Sequence, residues 1–410
     1  MRIIASIVAA CAVVSVAQPL CAVESPSVWK VYTTQNSELS SNFISTLAVD
    51  RLGRAWISSE GDLVMLDGEN WKPVNGFKVL EMGVAKDNSV WCACDLFSGS
   101  LVHTDGTTTT FYNDVNSDIP SNWVTAVAVD EADHVWAGCS YSGVGEFDGT
   151  NWTTHLGGAQ TGIARLTMAS GPDNLVCMAG AESIYRYSNG EWTTFMVPGL
   201  NAGVDRIYDL VYADDGSIWA ATSSLGVGHL VGDTWTSYST DNGVPSSNVL
   251  GVAVDSNGVV WAGTDNGLAS FNGTTWTTYT KDNWVLPDNT IRSIAVGPDN
   301  SLWIGTDAGL LYASQTTTDV PEPGTAPAPV LSPNPAQGEV SIRFFLPSPA
   351  HTDVEIYAVS GNRVAVIAAD DLPTGEHVYR FDTNVLAAGS YYCVIKTAGR
   401  ITTHTPLFVR

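Results

Sequence analysis

Basic residues are scarce in this sequence of 410 residues: 18 lysines and arginines stand against 42 aspartates and glutamates, a net charge of −24. That excludes nucleic acid as a partner, because its phosphates require a basic footprint. An anionic membrane surface is disfavoured for the same reason. Long apolar runs are missing beyond the N-terminal segment, so no later stretch reaches the ~18 residues of a membrane span. Cysteine is sparse and irregular. Cys92, Cys94, Cys139, Cys177 and Cys393 remain once Cys11 and Cys21 are assigned to that segment, and five unevenly spaced thiols make no disulfide framework. Catalytic signatures are also lacking, with neither a Gly-x-Ser-x-Gly elbow nor a His-Glu-x-x-His pair. Carboxylates leave calcium as a possible ligand, but no Asp-x-Asp-x-Asp-Gly loop supports it, and Asp214-Asp215-Gly216 reads as a hairpin turn.

What the chain has in abundance is repetition. The stretch Val259 to Tyr279 recurs along three quarters of it. Trp261 has counterparts at Trp56, Trp91, Trp136, Trp219 and Trp303, with Cys177 in the same slot. The spacings are 35, 45, 41, 42, 42 and 42 residues. A period of this size with four short β-rich runs per copy is the mark of a propeller blade. Each copy opens on an apolar run such as Ile44 to Val49, suited to an inner strand, and turns at an Asp-x-x-Gly such as Asp50 to Gly53. The tryptophans then pack between blades. Cys94 and Cys139 stand where other copies have Thr222, Thr264 and Thr306, so they read as buried threonine substitutes. The seventh copy stops at Ser314 without a fourth strand, and Val28-Trp29-Lys30-Val31-Tyr32 matches the missing one. The expected fold is therefore all-β: a seven-bladed propeller over 23–314, closed by the N-terminal strand.

The remaining segments complete the organisation. Arg2, an apolar run from Ile3 to Val16 and small residues up to Ala17 or Ala22 predict a signal peptide over 1–22 and an exported protein. Prolines 321, 323, 327 and 329 mark a Pro/Thr-rich spacer over 315–330. Alternating runs over 331–410 predict a small immunoglobulin-like β-sandwich.

In that last segment Ser332-Pro333-Asn334-Pro335, then Val354 to Val364, then Phe381-Asp382 through Leu386, Gly389 and Tyr391, resemble the C-terminal sorting domain of the type IX secretion system. The immunoglobulin-like module of flagellar hook scaffolding proteins is similar. The resemblance implies secretion machinery as a partner and a secreted or cell-surface location, or a periplasmic one if the tail does not sort. Thr405-Pro406 departs from the family, whose final strand more often bears lysine. The blades in turn resemble the two-component-regulator propeller repeat, through Leu302 to Leu310. Streptogramin lyases share a seven-bladed ring, which keeps a lyase as the enzymatic alternative; it requires a histidine and a glutamate on the channel rim. His103, His134, His155 and His229 fall in strand or turn positions that do not converge there.

Comparison between copies separates scaffold from candidate site. Asn36 and Asn42, Asn116 and Asn122, Asn242 and Asn248, and Asn283 and Asn289 recur at one six-residue step and read as turn caps. Trp284 departs from the repeat, standing where other copies have Ser37 and Ser117. The loops between second and third strands bring Asp95, Leu96, Phe97, Tyr141, Asp265, Asn266 and Asp307 to the same rim. Aromatic rings among amides and carboxylates suit a saccharide or peptide ligand. The expectation is an exported binding module without catalysis, against a passive surface scaffold as a further alternative.

Overall fold

In three blades the turn after the first strand and the tryptophan of the second form one unit. They do so in the computed structural model of the chain, which describes residues 28–94, 101–156, 166–180, 182–201, 204–314, 330–346, 349–358, 362–373, 375–397 and 400–410. Asp50 Oδ1 accepts from the amides of Leu52 and Arg54, while its Oδ2 accepts from the Trp56 indole at 3.2 Å. Asp130 holds the Ala132 and His134 amides and the Trp136 indole, and Asp255 those of Asn257, Val259 and Trp261. One carboxylate thus caps a turn and satisfies a buried indole. Ala85 and Ala213 replace it in two blades. There a histidine of the third strand stacks on the ring instead, His103 on Trp91 at 4.4 Å and His229 on Trp219 at 3.8 Å. Burial lowers the pKa of both imidazoles and so favours the neutral, stackable form.

The repeats build seven four-stranded antiparallel sheets. The first runs from inner to outer strand through Ile44–Val49, Ala55–Ser59, Asp62–Asp67 and Asn70–Asn75. Inner strands touch in sequence around the ring, and the last, Ile291–Val296, touches the first. The seventh sheet takes its outer strand from the other end of the chain: Val28–Tyr32 pairs antiparallel with Gly309–Ser314, Trp29 opposite Ala313 and Val31 opposite Leu311. Tyr32 meets Trp71 of the first blade edge-on at 5.2 Å, so the clasp joins the last blade to the first.

The five described cysteines are free and buried. Thr222, Thr264 and Thr306 donate their hydroxyls to the carbonyls of Gly226, Gly267 and Gly309. Cys94 and Cys139 occupy the same buried slot, and burial pushes the Cys139 thiol up to about 12.

The C-terminal unit is a two-layer sandwich. One sheet orders Val330–Ser332, Glu339–Leu346 and Gly375–Asp382; the other orders Arg363–Leu372, Ala350–Ala358, Gly389–Thr397 and Arg400–Val409. Between them lie Val340, Ile342, Val354, Ile356, Cys393 and Leu407. The predicted signal peptide and nearly all of the spacer lie outside the described residues.

The clasp yields the first prediction. Val31 is 5% exposed inside the seam, so Val31→Asp buries an unpaired carboxylate and lowers stability by about 3 kcal/mol or more. Urea unfolding of the full chain checks this; an unchanged midpoint would contradict the closure.

Candidate functional site: the mouth of the propeller channel

Six of the seven inner strands slip by one residue near their start. The shifts fall between Ile44 and Thr46, Val79 and Glu81, Val124 and Ala126, Ile207 and Asp209, Val249 and Gly251, and Ile291 and Ser293. The extra residues are Ser45, Leu80, Thr125, Tyr208, Leu250 and Arg292. A bulge of this kind bends the strand and re-aims its side chain. All of them except Thr125 line a cavity of about 980 Å³ enclosed by the inner strands. Phe43, Lys78 and Arg206, each two residues before a bulged residue, line it too, with Tyr141 from a loop of the third blade.

Two carboxylates follow bulges and project among the inner strands. Glu81 accepts from the Val127 amide at 2.9 Å, the Thr167 hydroxyl at 2.6 Å and the Met168 amide at 3.2 Å, tying three blades together. Asp209 accepts from the amides of Leu210 and Val252, both at 2.9 Å. Burial raises Glu81 to about 8 and Asp209 to about 7, against the pull of these donors; the Asp209 charge adds to the rise at Glu81. Both line the cavity and keep part of their surface accessible, so water there moderates the shift.

The residues expected from sequence separate into three groups. Asp95, Leu96 and Phe97 lie outside the described residues. Tyr141 stands at the cavity, 51% exposed, with φ of 60°. That left-handed conformation costs a bulky residue on the order of 1–3 kcal/mol. Asp265, Asn266 and Asp307 brace the loops on this rim: Asp265 accepts from Asn248 Nδ2 at 2.8 Å, Asn266 donates to the Pro245 carbonyl, and Asp307 pairs with Arg292 at 2.7 and 3.0 Å.

Trp284 is a correction: it does not share the open rim with Tyr141. Its loop starts from an outer strand, Trp276–Tyr279, and reaches the channel only at Ile291, so the indole sits at the periphery. There it is 4% exposed. The C-terminal sandwich covers it. Tyr392 donates its hydroxyl to the Trp284 carbonyl at 2.7 Å and meets the Trp29 ring at 5.4 Å, and Val394 and Tyr357 join the same cluster. Glu355, two residues before Tyr357, is 2% exposed and accepts from Tyr357, Arg363 and Lys396. The asparagines of the Trp284 loop are caps: Asn283 accepts from the Thr280 amide and Asn289 from that of Lys281, as Asn36 and Asn42 do from Thr33 and Thr34.

Sequence comparison missed Phe43, Arg206, Tyr208 and Trp123. Trp123 is 66% exposed, and its carbonyl accepts from the Ser140 amide beside Tyr141. The available signal was positional, since Asn248 and Thr290 stand where Phe43, Trp123 and Arg206 do. None of the four propeller histidines lines the cavity. His103 and His229 stack on tryptophans, and His134 and His155 both bond Glu146, at 2.8 and 2.7 Å. Among the described residues no cluster of three or more metal-ligating side chains is assembled.

Residues 331–408 match the Secretion system C-terminal sorting domain, and residues 243–266 and 285–308 match the Two component regulator propeller. No curated protein matches the chain. Solved structures similar to it include the extracellular domain of the hybrid two component system BT3049 from B. thetaiotaomicron, at 13% identity and TM-score 0.58, covering 94% of this chain and 57% of that one. PorZ, an essential surface component of the type-IX secretion system of Porphyromonas gingivalis, is similar at 17% identity and TM-score 0.55, covering 91% and 60%. Virginiamycin B lyase from Staphylococcus aureus is similar at 12% and 0.57, covering 70% and 99%. The chain spans less than two thirds of the first two proteins. At these identities the likeness establishes the fold. The sorting domain makes the chain an exported protein of the cell surface or medium, with secretion machinery as a partner. No helix among the described residues is long and apolar enough to cross a membrane.

Two predictions follow from this geometry. Tyr392→Ala removes the contact over Trp284, so hydrogen exchange should rise at the amides of 284–286 and stay unchanged in the matching loop around Leu39. For the channel carboxylates the folded pKa values lie above the unfolded ones of about 4, so the stability they contribute is complete below that pH, is lost progressively as pH rises towards the folded values of about 7 to 8, and levels off above them. Asp209→Asn should flatten the fall in unfolding free energy between about pH 4 and pH 7, as measured by urea titration at each pH.

Proposed function

We propose that this exported chain, which carries two component regulator propeller repeats and a secretion system C-terminal sorting domain, is a non-catalytic recognition module. It takes a saccharide at the mouth of its channel. The observation that carries this reading is the pair of half-exposed rings, Tyr208 at 41% and Tyr141 at 51%, on a cavity of about 980 Å³. Tyr141 holds its position through strained backbone, a cost that persists where a site requires it. Aromatic faces beside polar groups stack on sugar rings and orient their hydroxyls.

A peptide fits less well. Extended peptides gain affinity by adding to a sheet edge, and on the channel-facing edges of the inner strands the amides of Val127, Met168 and Val252 are already taken by Glu81 and Asp209. A lyase of the virginiamycin B type is disfavoured by the commitment of all four propeller histidines to stacking or to Glu146.

Calorimetry of the purified full chain against a saccharide panel tests the reading. Binding of at least one saccharide is expected, with no turnover. Tyr208→Ala should weaken it about tenfold, the loss of one stacking contact of roughly 1–1.5 kcal/mol, at an unchanged melting temperature. Product release in the same mixture would overturn the non-catalytic reading, and a panel without any binder would overturn the saccharide.

A further inference from the structure

Resting on the saccharide reading, we infer that the ligand is an anionic saccharide, one bearing carboxylate or sulfate groups, and that Arg206 is the residue that selects it. In a chain with only 18 lysines and arginines, three of them, Lys78, Arg206 and Arg292, line this one cavity. They come from three different blades and lie within two positions of the bulged residues.

The state of their partners singles out Arg206. Arg292 is engaged: its guanidinium grips Asp307 in a two-point contact at 2.7 and 3.0 Å and lies 5.3 Å over the Phe43 ring. Arg206 is exposed, and its guanidinium has no acceptor among the described residues; only its backbone is used, the amide donating to the Ser223 hydroxyl and the carbonyl accepting from the Ser223 amide, both at 2.9 Å. The carboxylates that line the cavity are already engaged. Glu81 and Asp209 accept backbone amides, and Asp205, next to Arg206 in sequence, turns back to the Asn201 amide and side chain at 2.8 and 3.0 Å. A planar five-donor group without an internal acceptor, two residues from the exposed Tyr208 ring, matches a sugar that offers a face for stacking and an oxyanion for a two-point hydrogen bond. Carboxylate and sulfate present the same chemistry to it.

The experiment uses the full chain and a glycan panel with neutral, uronate-bearing and sulfated oligosaccharides of matched length. Uronate or sulfated glycans should bind, weaken as salt is raised, and lose about tenfold or more of their affinity in Arg206→Glu. Arg51→Glu changes a cation in the turn at the opposite end of the first inner strand and should leave affinity unchanged; melting of both variants verifies folding. Whether uronates or sulfates bind more tightly identifies the anion. Equal binding of neutral glycans, or full affinity in Arg206→Glu, overturns the anionic inference while saccharide recognition stands. No binding of any glycan overturns both.

Discussion

A ring of sheets has one seam, and in this chain the seam is held by five residues. Seven inner strands lean on one another around the channel, so the position of each depends on both neighbours. The circle is closed covalently where Val28–Tyr32 pairs with Gly309–Ser314 and leads into the first blade, beside the packing of first and last inner strands. The loop-closure entropy of joining residues so distant in sequence grows slowly with length, whereas an open seam would leave two unpaired edges and the interface between first and last blades. The clasp carries side chains suited to both tasks. Val31 fills the core of the last blade, and Tyr32 reaches Trp71 of the first. Trp29, on the same strand, is also the surface on which Tyr392 of the sandwich rests, so ring closure and tail placement share one element.

Inside the ring, the bulges settle what the channel can do. A regular pleat would alternate side chains between the two neighbouring blades. The extra residue breaks that alternation and sends Tyr208 and Arg292 to the mouth. Inner strands end their sheets, so their channel-facing amides lack ladder partners, and carboxylates of other blades take some of them up: Glu81 accepts those of Val127 and Met168, and Asp209 that of Val252. Their raised pKa values come from burial, against the pull of these donors.

The repeat made the blades, their number, the clasp and the Asp-x-x-Gly turns legible, because each rests on local chemistry that recurs; the bond from turn aspartate to indole was not read from it. The cysteines were legible for the same reason, since a thiol in a slot held elsewhere by buried threonines is buried itself. The channel mouth was not. Tyr208 and Arg206 sit in a run that reads as an ordinary inner strand, and only the register slip shows which side chains leave the sheet. Trp284 failed in the opposite direction. It departs from the repeat, yet the cause is a second domain whose docking no comparison between blades contains. Departure from a repeat marks a contact, but it does not say whether the partner is a ligand or another part of the same chain.

The sandwich also bears on how the tail is displayed. A proline-rich spacer implies a tethered domain whose position follows from linker length. The sheet that includes Ala350–Ala358 and Gly389–Thr397 is covered on both faces, by the sandwich core through Val354, Ile356 and Cys393 and by the propeller through Tyr357, Tyr392 and Val394. Glu355 lies on that second face with Arg363 and Lys396 as counter-ions. A buried carboxylate without its cations costs several kcal/mol, so the residues of this face are matched to a covered environment. The domain's orientation is therefore set by contact with the clasp, and the spacer needs only to be long enough to permit it.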